Sequence, residues 1–180
     1  MSSREMMEYD VVIVGAGPSG LSSAIKLKQL SKKNNKEISI CIVEKGSEIG
    51  SHILSGAVIE TKSLDELIPD WKETDIPLKT KASNDEFLFL TKNKSYKLPT
   101  PPQMNNHGNY IVSLGNLCNW LGRYAENLGV EIYPGFSASE ILFDESGKVI
   151  GIATNDMGRL KDGSEGPNFE PGIELKAKQT

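Results

Sequence analysis

The sequence predicts an α/β fold: a parallel sheet with a helical crossover, into which a β-rich portion is inserted. Three observations carry this. Asp10-Val-Val-Ile-Val14 is a short apolar, β-branched run, the pattern of a strand covered on both faces. Gly15, Gly17 and Gly20 follow in the spacing G-x-G-x-x-G, after which Leu21, Ala24, Ile25, Leu27 and Leu30 recur at helical spacing. A second apolar strand, Ile38 to Val43, ends in Glu44. Strand, glycine turn, helix and strand, closed by an acid about 20 residues or slightly more beyond the glycines, form the fingerprint of a Rossmann-like FAD/NAD(P)-binding domain.

Each residue type in the fingerprint has a physical task. Gly15 lets the chain turn sharply out of the strand, Gly17 lets backbone approach a pyrophosphate, and Gly20 lets helix and strand pack closely. Pro18 suits the first helical turn, where its missing N–H costs nothing, and Ser19 lies beside it. The helix N-terminus turns unpaired N–H groups and a positive dipole end toward phosphates. Glu44 can accept hydrogen bonds from a ribose diol, which favours NAD or FAD over a 2′-phosphorylated dinucleotide.

Composition narrows the class. With 180 residues the chain is long enough for one domain with a core and part of a second. Hydrophobic residues at 38% and charged residues at 24% are the proportions of a globular chain. A net charge of −4 argues against a nucleic-acid-binding surface. No apolar run approaches bilayer-spanning length, and Met1 to Glu8 has neither a signal-peptide core nor an Arg-rich transit pattern. Cys41 and Cys118 are the only cysteines and read as small buried hydrophobes. Two cysteines cannot hold an iron–sulfur cluster, which usually takes four.

Further along, residues 1–60 read as the nucleotide-binding core, 61–109 as an insertion, and 110–180 as a return to the first domain. Ser51 to Ile59 reads as an apolar loop with small residues at Ser55, Gly56 and Ala57. Ser63-Leu-Asp-Glu66 has the form of a capping box, and Pro69 should end the short helix that follows. Leu64, Leu67, Ile68 and Trp71 give that segment an apolar stripe, either packed on its own domain or touching a membrane. Glu86 to Thr91 and Ser95 to Leu98 predict a β-hairpin, and Pro99 to Pro102 a stiff connector. The polar loop Met104 to Asn109 leads into a strand at Tyr110 to Val112 and a helix capped by Ser113. Val130 to Tyr133 should rejoin the nucleotide-binding sheet. Ser137 to Phe143 and Lys148 to Thr154 predict another hairpin, Gly158 to Gly172 a long loop, and Ile173 to Ala177 a strand.

Val43-Glu44-Lys45 followed by Gly50 resembles the FAD site of flavoproteins with two dinucleotide-binding domains, which makes FAD the expected ligand. Four longer pieces are more specific: Ile49-Gly-Ser-His-Ile-Leu-Ser-Gly-Ala57, Ile68-Pro-Asp-Trp-Lys-Glu73, Met104-Asn-Asn-His-Gly-Asn-Tyr-Ile-Val112 and Gly151-Ile-Ala-Thr-Asn-Asp156. On these, the chain from Tyr9 to Ala177 resembles the N-terminal part of the electron-transfer flavoprotein:ubiquinone oxidoreductase family. The resemblance implies an FAD-dependent oxidoreductase that takes electrons from reduced electron-transfer flavoprotein and reduces ubiquinone, using FAD and a [4Fe–4S] cluster. It implies cofactor contacts at Gly15, Gly17, Pro18, Ser19, Gly20, Glu44, Lys45, Gly50, Ser55, Gly56, Ala57 and His107. It also implies a peripheral site on the bacterial inner membrane, or on the mitochondrial inner membrane in a eukaryote, with residues 49–70 near the lipid. The chemistry belongs to the cofactors, so no catalytic triad or carboxylate pair is expected. His52 and His107 are loop histidines; His107 is the better candidate for ordering a loop near the flavin.

Against the family, the chain stops short of the expected closing strand and of the half that would carry the cluster cysteines. It therefore reads as an N-terminal fragment, inactive by itself. Two other readings stay open: a different FAD or NAD oxidoreductase of the geranylgeranyl-reductase or hydroxylase type, and a nucleotide-binding module without redox activity.

Overall fold

The structure is a computed structural model and describes residues 4–180. In chain order its elements are β1 (Met6–Val14), α1 (Pro18–Lys33), β2 (Ile40–Glu44), β3 (Gly56–Ile59), α2 (Lys62–Leu67), β4 (Thr80–Lys81), β5 (Phe87–Leu90) and β6 (Ser95–Leu98). They continue with β7 (Tyr110–Ser113), α3 (Leu114–Asn127), β8 (Glu131–Pro134), β9 (Ala138–Phe143), β10 (Val149–Thr154), β11 (Met157–Arg159), β12 (Glu165–Glu170) and β13 (Glu174–Gln179). Two compact units result: the chain up to Ile53 with Cys118–Thr180, and Leu54–Leu117 between them. The units divide at 53/54 and 117/118, where the sequence predicts 60/61 and 109/110.

The first unit is built on a six-stranded sheet in the order β8-β2-β1-β13-β10-β9. β8, β2, β1 and β13 run parallel, while β10 and β9 are antiparallel additions. β2 is an interior strand, pairing Cys41 with Val12 on one side and Glu131 on the other. Its Ile40, Cys41, Ile42 and Val43 are all buried, so both faces are covered, as the unbroken apolar run requires. α1 turns Leu21, Ala24 and Ile25 into this core. Tyr9, Val12, Cys41, Val43, Ile152 and Leu175 form a second packed cluster. At its edge the hydroxyls of Tyr9 and Tyr133 each donate to Glu131 Oε2 at 2.7 Å. Those two phenol donors hold the Glu131 carboxyl below its ordinary value, while burial pushes the Tyr9 phenol up.

The second unit holds a three-stranded sheet, β3-β7-β4, and the separate hairpin β5–β6. Ile68, Trp71, Ile76, Leu78, Ala82 and Val112 are buried in it. Trp71 meets Tyr110 edge-on with ring centroids 5.6 Å apart, and its indole N–H donates to Asp65 Oδ1 at 2.7 Å. Hence Ile68 and Trp71, which the sequence offered as an apolar stripe, are core residues.

Several local expectations change. Ser63 lies inside α2; the N-cap is Thr61, whose hydroxyl donates to Asp65 Oδ2 at 3.1 Å. Part of the segment read as an apolar loop is strand β3, paired antiparallel with β7 from Gly56↔Ser113 to Ile59↔Tyr110. The predicted long loop from Gly158 to Gly172 contains the hairpin β11–β12, with Met157 opposite Glu170. Polar strands without alternation hid it, although Asp162-Gly163 is a hairpin turn pair. Arg159 secures it by lying over the Phe169 ring at 4.9 Å. The helix after Ser113, the return strand β8, the hairpins β5–β6 and β9–β10, and the last strand all form where the sequence placed them.

Candidate dinucleotide site

The glycine turn lies at the carboxyl end of the parallel strands, where open α/β sheets bind their ligands. Gly15 leaves β1 with φ +100°, a conformation open to glycine at no steric cost, and its N–H donates to Val43 O at 2.7 Å. A Cβ at Gly15 or Gly17 would meet nothing within 4 Å, so the space over the turn is open to a ligand. Gly20 is the opposite case: a Cβ there would lie 2.2 Å from Gly15 O and 3.1 Å from Ile13 Cγ2. It lets the helix come down on the turn.

α1 begins at Pro18 with Gly17 as N-cap, and no side chain caps it. Its first turn carries no acid, and Lys32 and Lys33 complement the other end. The first-turn amides are therefore left to a ligand, and an anion is the ligand they suit. Pro18 and Ser19 stand exposed beside the opening.

Glu44 ends β2 and reaches back to the same turn. Its Oε2 accepts from Ala16 N at 2.9 Å and its Oε1 from Gly46 N at 2.8 Å. An ionised carboxylate offers about four lone-pair sites, so one on each oxygen remains for hydroxyl donors. The structure thus brings Gly15, Gly17, Pro18, Ser19, Gly20 and Glu44 together. Lys45, which is exposed, and half-buried Gly50, with φ +85°, belong to the loop that follows Glu44 in the same unit. Ser55, Gly56, Ala57 and His107 belong to the second unit. There the His107 N–H donates to Asn105 Oδ1 at 2.9 Å, and its Nδ1 lies 3.3 Å from Ser83 O. His52 is exposed in the turn before Ile53.

Sequence reasoning passed over Ala16 and Gly46, the two amides that hold Glu44. Their signal is slight, since a backbone N–H donor leaves no mark on residue type. Cys41 and Cys118 are fully buried, and burial pushes their thiols up to about 12 and about 11. Among the described residues no three His, Cys, Asp or Glu side chains gather as a metal site, and no helix is long and apolar enough to cross a membrane.

An open, uncapped glycine turn on a parallel sheet, with an acid poised at the next strand's tip, defines the class: a Rossmann-type dinucleotide-binding domain. The profile of the Thi4 family matches residues 2–67. A geranylgeranyl bacteriochlorophyll reductase-like protein from Thermoplasma acidophilum shares the fold, with TM-score 0.58 and 20% identity over 96% of this chain and 38% of its own. The chondrochloren halogenase CndH, described as an FAD-dependent halogenase variant, does so with TM-score 0.57 and 15% identity over 94% of this chain and 36% of its own.

The particular relatives are much nearer in sequence. The chain is 62% identical, over 98% of its length, to the mitochondrial electron transfer flavoprotein-ubiquinone oxidoreductase of Dictyostelium discoideum, and 56% identical, over 98%, to the Pseudomonas aeruginosa protein of that name. It is thus homologous over nearly its whole length to these oxidoreductases, as the four sequence pieces implied. The chain spans 29% of the length of the first and 33% of the second.

Proposed function

We propose that this chain is the FAD-holding, N-terminal part of an oxidoreductase that passes electrons from reduced electron-transfer flavoprotein to ubiquinone. The observation that carries the reading is the phosphate turn with Glu44 drawn onto it, in a chain homologous to proteins of that name. The α1 N-terminus would hold the pyrophosphate of FAD and Glu44 the adenosine ribose, with Lys45 and Gly50 as further contacts of the same unit. Bound FAD would supply the redox chemistry; the protein's share is to place it and set its surroundings. The [4Fe–4S] cluster would draw its thiolates from outside these 180 residues, since Cys41 and Cys118 are both packed in the core.

Titrating the purified chain with FAD, ADP and FMN by calorimetry tests the binding reading. FAD and ADP should bind, and FMN, which lacks the adenosine half, at least about tenfold more weakly. Equal affinity for FMN, or no binding of FAD and ADP, would overturn it.

Peripheral membrane contact forms part of the same proposal. The sequence suggested residues 49–70, where Leu54 is 98% exposed. The hairpin β5–β6 offers more: Phe87, Leu88, Phe89, Leu90, Tyr96 and Leu98 are all exposed, beside Lys92, Lys94 and Lys97. Apolar side chains flanked by lysines suit an anionic lipid surface. Replacing Phe89 and Leu90 together by Asp should lower the fraction floating with anionic vesicles about tenfold or more, since each buried side chain contributes about 1.5–3 kcal/mol. Unchanged flotation would move the contact elsewhere.

A further inference from the structure

The loop after Glu44 is closed on itself around Gly46. This residue is buried, its N–H donates to Glu44 Oε1 at 2.8 Å, and its carbonyl accepts from Gly135 N at 2.7 Å. A Cβ built on it would lie 2.5 Å from Ser51 Oγ, 3.1 Å from Glu48 O and 3.2 Å from Glu44 Oε1. Ser51 Oγ is itself tied down, donating to Glu48 O at 2.8 Å. The Ser51 hydroxyl therefore occupies the side-chain space of residue 46, and a side chain there would push against the loop that sets its amide on the carboxylate.

We propose that Gly46 and Ser51 act as a latch that orients Glu44 toward the two hydroxyls of the adenosine ribose. Both are positioning residues, and the inference rests on the dinucleotide reading above. A carboxylate turns easily about its last torsion. Here one backbone N–H on each oxygen stops that rotation: Ala16 from the phosphate turn, Gly46 from the following loop. The free lone pair left on each oxygen matches the two O–H donors of a vicinal diol. With the Gly46 amide displaced, the carboxylate loses its fixed direction.

The test compares ADP with 2′,3′-dideoxy-ADP by calorimetry on the full chain. The wild type should prefer ADP about tenfold or more, as hydrogen bonds to a charged acceptor imply. Gly46→Ala should bring ADP down to the affinity of the dideoxy analogue, whose own affinity should change less than about twofold. A general loss of structure would weaken both ligands together. Adding Ser51→Ala to Gly46→Ala frees the space and should restore most of the preference. Ser51→Val, at an exposed position that crowds Gly46 from the other side, should repeat the selective loss if Gly46→Ala does not fold. An undiminished ADP preference in folded Gly46→Ala, an equal loss for both ligands in a variant that folds, or no recovery in the double variant would overturn the latch. A wild type that binds neither ADP nor FAD would instead overturn the dinucleotide reading on which it rests.

Discussion

Gly20→Ala should abolish FAD binding and lower the stability of the first unit by about 3 kcal/mol, the upper end of the range for overpacking. The added Cβ would lie 2.2 Å from Gly15 O, a backbone atom that cannot swing aside. Relief requires either lifting α1 off the sheet or moving the carbonyl of Gly15. Lifting the helix uncovers Leu21, Ala24 and Ile25, all fully buried. Moving the carbonyl disturbs Gly15, whose N–H is bonded to Val43 O at 2.7 Å. Either response spoils the arrangement of first-turn amides on which a pyrophosphate would rest. Thermal unfolding and FAD calorimetry check both parts. Near-normal FAD affinity in a folded Gly20→Ala protein would mean that the phosphates bind elsewhere.

Trp71→Ala should cost the second unit about 3–5 kcal/mol, the usual loss when a buried aromatic is truncated. Trp71 is 2% exposed, touches Tyr110 edge-on and joins the segment after α2 to α2 through Asp65. Its removal leaves a cavity and takes the indole donor from the carboxylate. Limited proteolysis should then cut between Leu54 and Leu117 while Cys118–Thr180 stays protected. Equal cleavage across both units would show that the two fold as one. The Asp65 carboxyl lies below its ordinary value because the Trp71 indole N–H and the Thr61 hydroxyl donate to its ionised form. That contribution is present above the ordinary carboxylate value and is lost as pH falls through the lowered folded one. Trp71→Phe should keep most of the packing and lose this part of the acid dependence.

Local pattern determined a large part of this protein. The apolar run of β1, the spaced glycines, the helical stripe of α1 and the acid closing β2 each express their structure within a few residues. Periodicity and turn chemistry need no distant partner to be read. The same holds for α3 behind Ser113 and for the hairpins β5–β6 and β9–β10, whose partners are neighbours in sequence. The long, specific pieces identified the relatives for a different reason: they are a signature of descent, and their physics was not needed to recognise them.

Tertiary structure decided what depends on distant partners. β3 is a strand because β7, more than 50 residues later, pairs with it from Gly56↔Ser113 to Ile59↔Tyr110. β13 lies beside β1 although 160 or more residues separate them, as Met6↔Glu174 shows. The strands β11 and β12 are too polar to announce themselves and are held by pairing and by Arg159 over Phe169. Trp71 is core, where its stripe alone could equally have faced lipid. Glu44 was legible as an acid at the right distance. Its direction was not, because two backbone amides set it, and a backbone amide is the one donor that nearly every residue carries.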